Sequence, residues 1–180
     1  MQEFPQLFAP GLGKYEGKEF AIDIDESVQP KFIKARPVPY SLRETVDKEL
    51  DRLQEEGIIS PVTYSVWAAP MVPVLKTDET VRLCGDYKLT VNLASRLDNY
   101  PIPRVQDLFS NLSNANLFTK LDMSQAYAQL CLDDASKKFT VINTPRGLFQ
   151  YECLTFGIAF TCHNMLFRIH LDFSQASKRT

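Results

Sequence analysis

Apolar and polar positions along this chain follow two spacings, and these divide it into elements. From Ser41 to about Glu56, Leu42, Val46, Leu50 and Leu53 return at helical spacing and line one face. Ser41 and Glu44 read as a capping box, Glu44 and Lys48 as a favourable pair four apart, and Gly57 as a left-handed stop. The pattern predicts an amphipathic helix laid over a sheet. Further on, the spacing changes to two. Val66 to Leu75 is apolar but carries Pro70 and Pro73, which predicts an edge strand. Thr80 to Tyr87 alternates, with Val81, Leu83, Gly85 and Tyr87 on one side and Thr80, Arg82, Cys84 and Asp86 on the other. The link Lys76-Thr77-Asp78-Glu79 joins the two as a hairpin. Lys76 and Arg82 thus ride on a projecting element, where solvated surface charge is their commonest role.

Pro103 can open a helix over about Arg104 to Leu112. In the stretch that follows, Leu117, Thr119 and Leu121 share one strand face and Phe118, Lys120 and Asp122 the other. Asp122 ends that strand, where a side chain can leave the sheet and meet a ligand, although strand-end aspartates are mostly turn or cap residues. A second apolar run, Ala126 to Leu132, leads into a charged turn at Asp133, Asp134, Lys137 and Lys138. Phe139 to Thr144 and Leu148 to Leu154 form a hairpin around Pro145-Arg146-Gly147, Phe156-Gly157 breaks the chain, and Thr161 to about His170 predicts a last helix. Residues 1–40 read as a linker or arm, punctuated by Gly11, Gly13, Gly17, Pro30, Pro37 and Pro39, with a short exposed strand at Glu19 to Asp25. Residues 169–180 read as a divergent polar tail.

Composition narrows the classes. An apolar fraction of 44% over 180 residues suits a chain that buries a core, and a net charge of −2 gives no whole-chain support for nucleic-acid binding. The four cysteines are scattered, with no Cys-x-x-Cys pair and two histidines beside them, so reduced thiols in an intracellular setting, cytoplasm or nucleus, are expected rather than zinc. Neither a signal peptide nor a membrane-spanning run is present in these residues.

Four collinear blocks carry a resemblance. They are Leu53-Gln54-Glu55-Glu56-Gly57-Ile58-Ile59; Trp67-Ala68-Ala69-Pro70 through Val81-Arg82-Leu83-Cys84-Gly85-Asp86-Tyr87-Lys88 and Asn92; Tyr100-Pro101-Ile102-Pro103-Arg104 through Leu121-Asp122 to Tyr127; and Thr144-Pro145-Arg146-Gly147-Leu148-Phe149 through Phe156-Gly157-Ile158. In order and spacing the chain resembles the reverse transcriptases of gypsy-type LTR retrotransposons, over roughly residues 8–168.

The resemblance implies an α+β right-hand polymerase fold: fingers and an incomplete palm in residues 41–168, a mostly antiparallel sheet flanked by helices, and residues 1–40 as the arm preceding the polymerase. It implies RNA-directed DNA polymerase chemistry, a nucleotidyl transfer from a deoxynucleoside triphosphate to a primer on an RNA or DNA template, with magnesium as cofactor. Asp122 matches the first catalytic, metal-holding aspartate. Tyr127 matches the aromatic under the sugar, Gln125 and Ala126 the turn that meets the triphosphate, and Arg82 the fingers arginine. Lys76 stands near the fingers lysine, and Phe156 and Gly157 match the motif beside the base.

Departures from the pattern weigh against activity of this chain alone. The Tyr-x-Asp-Asp metal motif is not found, His170-Leu171-Asp172-Phe173 is a poor echo of it, and Cys162 stands where the family has a proline. The expectation is a retroelement-derived reverse transcriptase domain, inactive alone, with a non-catalytic module that binds nucleic acid or protein as the alternative. A protein partner or self-association would then complete it.

Overall fold

The computed structural model describes residues 11–96, 104–106, 109 and 124–159. The strand ending at Asp122, the helix at Thr161 to His170, the His170-Leu171-Asp172-Phe173 stretch and the tail lie outside these residues, as does most of the helix expected from Arg104.

The first helix, α1 (Tyr40–Glu55), buries Val46, Leu50 and Leu53 as its spacing requires, and Glu44 pairs with Lys48 at 2.7 Å. Its start corrects the expected capping box. Pro39 holds the cap position at φ −52°, ψ 140°, its carbonyl accepts from the Leu42 N–H at 3.0 Å, and no side chain caps the helix. The cap thus lies two residues before Ser41, the helix starts at Tyr40, and Ser41 falls inside its first turn. The far end is as expected: Gly57 has φ +68°, Ile58 N–H donates to the Leu53 carbonyl (2.9 Å) and Gly57 N–H to that of Gln54 (3.1 Å), the paired bonds of a Schellman stop.

Five strands follow: β1 (Ile59–Val62), β2 (Ala69–Leu75), β3 (Val81–Gly85), β4 (Ile142–Thr144) and β5 (Gly147–Tyr151). They make one sheet in the order β1-β5-β4-β2-β3, antiparallel except where β2 meets β4. α1 packs against β3 and β1. The chain is therefore α+β with a mostly antiparallel sheet. β2 is not the edge strand its prolines suggested, since it has a neighbour on each side. The parallel pairing with β4 spans only Ala69↔Ile142 and Pro70↔Asn143. The ladder bonds Lys76 N to Thr80 O and Asp86 N to Pro70 O place even-numbered β2 residues toward β3. Pro73 therefore turns its nitrogen to the other side, beyond the end of the β4 pairing, where no donor is needed.

Other expectations also shift. Glu19 to Asp25 is not an exposed strand: Phe20 and Ile22 are buried in the core, and single bridges (Phe20↔Leu132, Ile24↔Ser95, Phe32↔Ala68) fasten the arm. The charged turn is a one-turn helix, Asp134–Lys137, capped by the Asp133 carboxylate, which accepts from the Ser136 N–H at 2.8 Å.

Tyr87 joins the two halves of the sheet. Its ring is 1% exposed and its hydroxyl donates to the Thr140 carbonyl at 2.7 Å. A Cβ on Gly85 would lie 2.4 Å from that ring, and one on Gly157 (φ +95°) 2.6 Å from the Gly85 carbonyl oxygen. Asn92 closes the junction: its Nδ2 donates to the Gly157 carbonyl (2.7 Å), and its Oδ1 accepts from the Ala159 N–H (2.9 Å).

Two predictions follow from this packing. Gly157→Ala adds both a disfavoured φ and a backbone clash, so urea unfolding should show a loss of about 2–3 kcal/mol. Burial pushes the Tyr151 phenol up to about 12 and, with Cys131 beside it, the Cys153 thiol to about 12. Their unfolded values are about 10 and about 8.5. Because the folded values are raised, this stability is complete below about pH 8.5 and is lost as pH rises towards 12. The urea midpoint of the reduced chain should hold up to pH 8 and fall by pH 10.5.

Candidate functional site

The β2–β3 hairpin, the turn before Leu130 and the segment after β5 enclose a cleft of about 650 Å³. Lys76, Asp78, Thr80 and Arg82 form the hairpin wall, Gln125, Ala126 and Tyr127 the facing turn, and Thr155 and Phe156 the base.

The turn is built under strain. Gln125 is left-handed at φ 47°, ψ 44°, and a 3-10 helix, Ala126–Gln129, follows it. For a residue with a Cβ that costs about 1–2 kcal/mol. The Gln125 carbonyl accepting from Ala128 N–H (2.9 Å) and the Gln129 side-chain amide donating to the Ser124 carbonyl (2.8 Å) offset it.

Three side chains then meet in the cleft. The Tyr127 and Phe156 rings meet edge to face, centroids 4.6 Å apart at 75°. The Arg82 guanidinium carbon sits 4.9 Å from the Phe156 ring centre. Each contact contributes on the order of 1 kcal/mol, enough to fix orientation but not to seal the cleft.

The electrostatics separate two kinds of cation. Arg52, on the α1 wall, is held by both Glu49 oxygens at 2.8 Å and by Glu56 at 2.6 Å, and these bonds raise its pKa further. Lys76 and Arg82 are exposed and make no ion pair among the described residues. Asp78, exposed on the same hairpin, also lines the cleft. Its carboxyl lies below the ordinary value because the Thr80 hydroxyl (2.6 Å) and backbone N–H (3.1 Å) donate to it. The lining therefore sets Arg52, Lys76 and Arg82 against Glu49 and Asp78, a small positive excess beside an aromatic base, which suits an anionic ligand with a planar group.

Of the residues the sequence singled out, Lys76, Arg82, Gln125, Ala126, Tyr127 and Phe156 all line this cleft. Gly157 lies behind it, against Gly85 and Tyr87. Asp122 is outside the described residues. Among the described residues no three of His, Cys, Asp and Glu come together as a metal site. Sequence reasoning missed Glu49, Arg52, Asp78, Thr80, Tyr151 and Thr155. Glu49, Arg52 and Glu56 carry the spacing of ordinary helix-surface pairs, and Tyr151, whose hydroxyl donates to the Leu83 carbonyl at 3.3 Å, that of a core residue.

No family model matches the chain. It is 40% identical over 158 residues to an uncharacterized protein of Caenorhabditis elegans, covering 87% of this chain and 12% of that protein. It is 30% identical over 162 residues to the retrovirus-related Pol polyprotein from transposon opus of Drosophila melanogaster, covering 87% of this chain and 16% of the relative. Its fold matches the foamy viral protease-reverse transcriptase in complex with RNA/DNA hybrid, with a TM-score of 0.71 at 18% identity over 88% of this chain and 21% of that one. The chain is thus similar to retroelement Pol polyproteins and folds as a reverse-transcriptase-like region.

Proposed function

We propose that the chain forms the fingers and first part of the palm of a gypsy-type RNA-directed DNA polymerase, and that the described cleft grips the incoming deoxynucleoside triphosphate. One observation supports this above others. Lys76 and Arg82, Gln125 to Tyr127, and Phe156 come from three stretches far apart in sequence, each given a nucleotide-binding role by resemblance, and they line one cleft.

In this reading Lys76 and Arg82 hold triphosphate oxygens, the strained turn at Gln125 and Ala126 approaches the same group, and Tyr127 sits under the sugar. Phe156 bounds the base, and Gly157 lets its turn dock. Residues 1–40 are the arm that precedes the polymerase. Holding magnesium falls to Asp122. The described cleft presents cations rather than a cluster of metal ligands, so its own contribution is to bind and orient the nucleotide. Magnesium, when bound, supplies charge stabilisation at the phosphoryl group. The template and primer are RNA or DNA, as in the foamy viral complexes with double-stranded DNA and with RNA/DNA hybrid.

A second reading, a non-catalytic module that binds nucleic acid or protein, draws on Phe32, Tyr64 and Val66, which lie 51%, 77% and 45% exposed around a separate apolar hollow.

Titration with a fluorescent deoxynucleoside triphosphate separates the two readings. Arg82→Ala and Lys76→Ala should each weaken binding about tenfold, the loss expected for one charge-assisted contact. Unchanged affinity in both variants would favour the second reading. The 180-residue chain by itself should give no primer extension on poly(rA)/oligo(dT) with magnesium or manganese, because the resemblance assigns it one metal-holding carboxylate where the chemistry uses two ions. Extension that vanishes in Asp122→Asn would overturn this.

A further inference from the structure

On the far side of the Ala126–Gln129 turn, two cysteines face each other across an antiparallel bridge, Cys131↔Cys153. The flanking bonds, Leu132 N to Glu152 O (3.0 Å) and Leu154 N to Leu130 O (2.8 Å), make it a non-hydrogen-bonded pair, the position where opposed side chains come closest. The two Sγ atoms are 3.9 Å apart. Both cysteines line a cleft of about 360 Å³ whose walls include Lys14, Lys137 and Glu152. Cys131 is half-buried and Cys153 is 7% exposed, so a reagent entering the cleft meets Cys131 first. Cys84, on β3, does not line that cleft.

We propose that Cys131 and Cys153 form a redox-modification site, which a small-molecule disulfide of the glutathione class converts to an intramolecular cross-strand disulfide. In the first step the Cys131 thiolate attacks one sulfur of the glutathione disulfide. That S–S bond breaks, and one glutathione leaves as a thiolate that takes a proton from water. In the second step the Cys153 thiolate attacks the Cys131 sulfur of the mixed disulfide and expels the other glutathione. Two protein thiols are oxidised and one glutathione disulfide is reduced to two thiols. Closing the sulfurs from 3.9 Å to about 2.05 Å takes rotation of the two side chains, since the strand pairing already holds the backbones at bridging separation. Burial, with Cys131 beside it, pushes the Cys153 thiol up to about 12, which disfavours it for the first attack; once Cys131 is in the mixed disulfide it no longer carries a charge that opposes the Cys153 thiolate. The site is independent of what the neighbouring cleft binds. Its place gives it a mechanical effect: it follows Tyr127 by four residues and precedes Phe156 by three, so the bridge ties together the two segments whose rings meet.

The test is peptide mapping of the fully reduced chain after incubation in the native state with glutathione disulfide, followed by alkylation with iodoacetamide in denaturant so that every remaining thiol reacts. The expected result is a peptide linked through Cys131 and Cys153, with Cys84 alkylated and a raised melting temperature. Cys153→Ser should accumulate glutathione on Cys131, and Cys131→Ser should leave Cys153 alkylated. Should the serine variants fail to fold, the wild-type map decides alone. Alkylation of both cysteines in the wild type, a glutathione adduct that never closes, or a dominant link to Cys84 or Cys162 would each overturn the proposal.

Discussion

The cleft depends on how closely the turn at Phe156-Gly157 can approach the end of β3. Gly157 sits where a side chain would meet the Gly85 carbonyl, and Gly85 sits where one would meet the Tyr87 ring. Two missing side chains therefore make room for one large buried ring. That ring brings a polar atom into the core, and the Thr140 carbonyl satisfies it. Thr140 is itself enclosed, its hydroxyl donating to the Lys137 carbonyl at 2.8 Å and accepting from the Tyr151 N–H at 3.1 Å. A single connected set of contacts thus runs from β3 through Tyr87 to the segment before β4 and on to β5. Phe156 is carried on the end of that set, which is why it can support Arg82 from below.

Charge at the cleft follows a similar economy. The net charge of −2 is a sum over 20 cations and 22 acids and says nothing of where they stand; among the described residues Arg52 pairs with Glu49 and Glu56, Lys137 with Asp134 and Glu152, and Arg146 with Asp51. Lys76 and Arg82 make no ion pair among the described residues, and Asp78 on their hairpin bonds to Thr80. Local field, rather than total charge, is what an anion would meet there.

Much of this was legible in the sequence wherever one face of an element is buried. The spacing of Val46, Leu50 and Leu53 located α1, and the alternation from Val81 to Tyr87 gave β3 its inward side. The misreadings came from local rules that a neighbour overrode. Ser41 has the chemistry of a cap, but the helix already begins at Tyr40, with Pro39 in the cap position. Pro73 signals a strand with a free side, and it faces such a side, but the strand is not an edge, because its first residues are paired with β4. Phe20 and Ile22 looked like parts of a glycine- and proline-rich arm because their partners, Leu132 and Ser136, lie more than a hundred residues away. Of the candidate site, the residue types were readable, but their convergence was not. Nothing in the spelling of Gly85 and Gly157 distinguishes a close approach from an ordinary turn.

The parallel seam between β2 and β4 is two residues long, and past Pro70 no other described strand pairs with the hairpin on that flank. Met71 to Leu75 then extends for roughly 17 Å at the usual rise of a strand. Mechanically this is a cantilever anchored at its root, with Lys76 at the free end. A tilt of one degree at the root displaces the tip by roughly 0.3 Å over such a length. The gap between Lys76 and the turn at Gln125 is therefore governed by an angle, whereas Arg82, propped on Phe156, is governed by a contact. The two cations therefore differ in what fixes them: an angle at the strand root for one, an aromatic ring for the other.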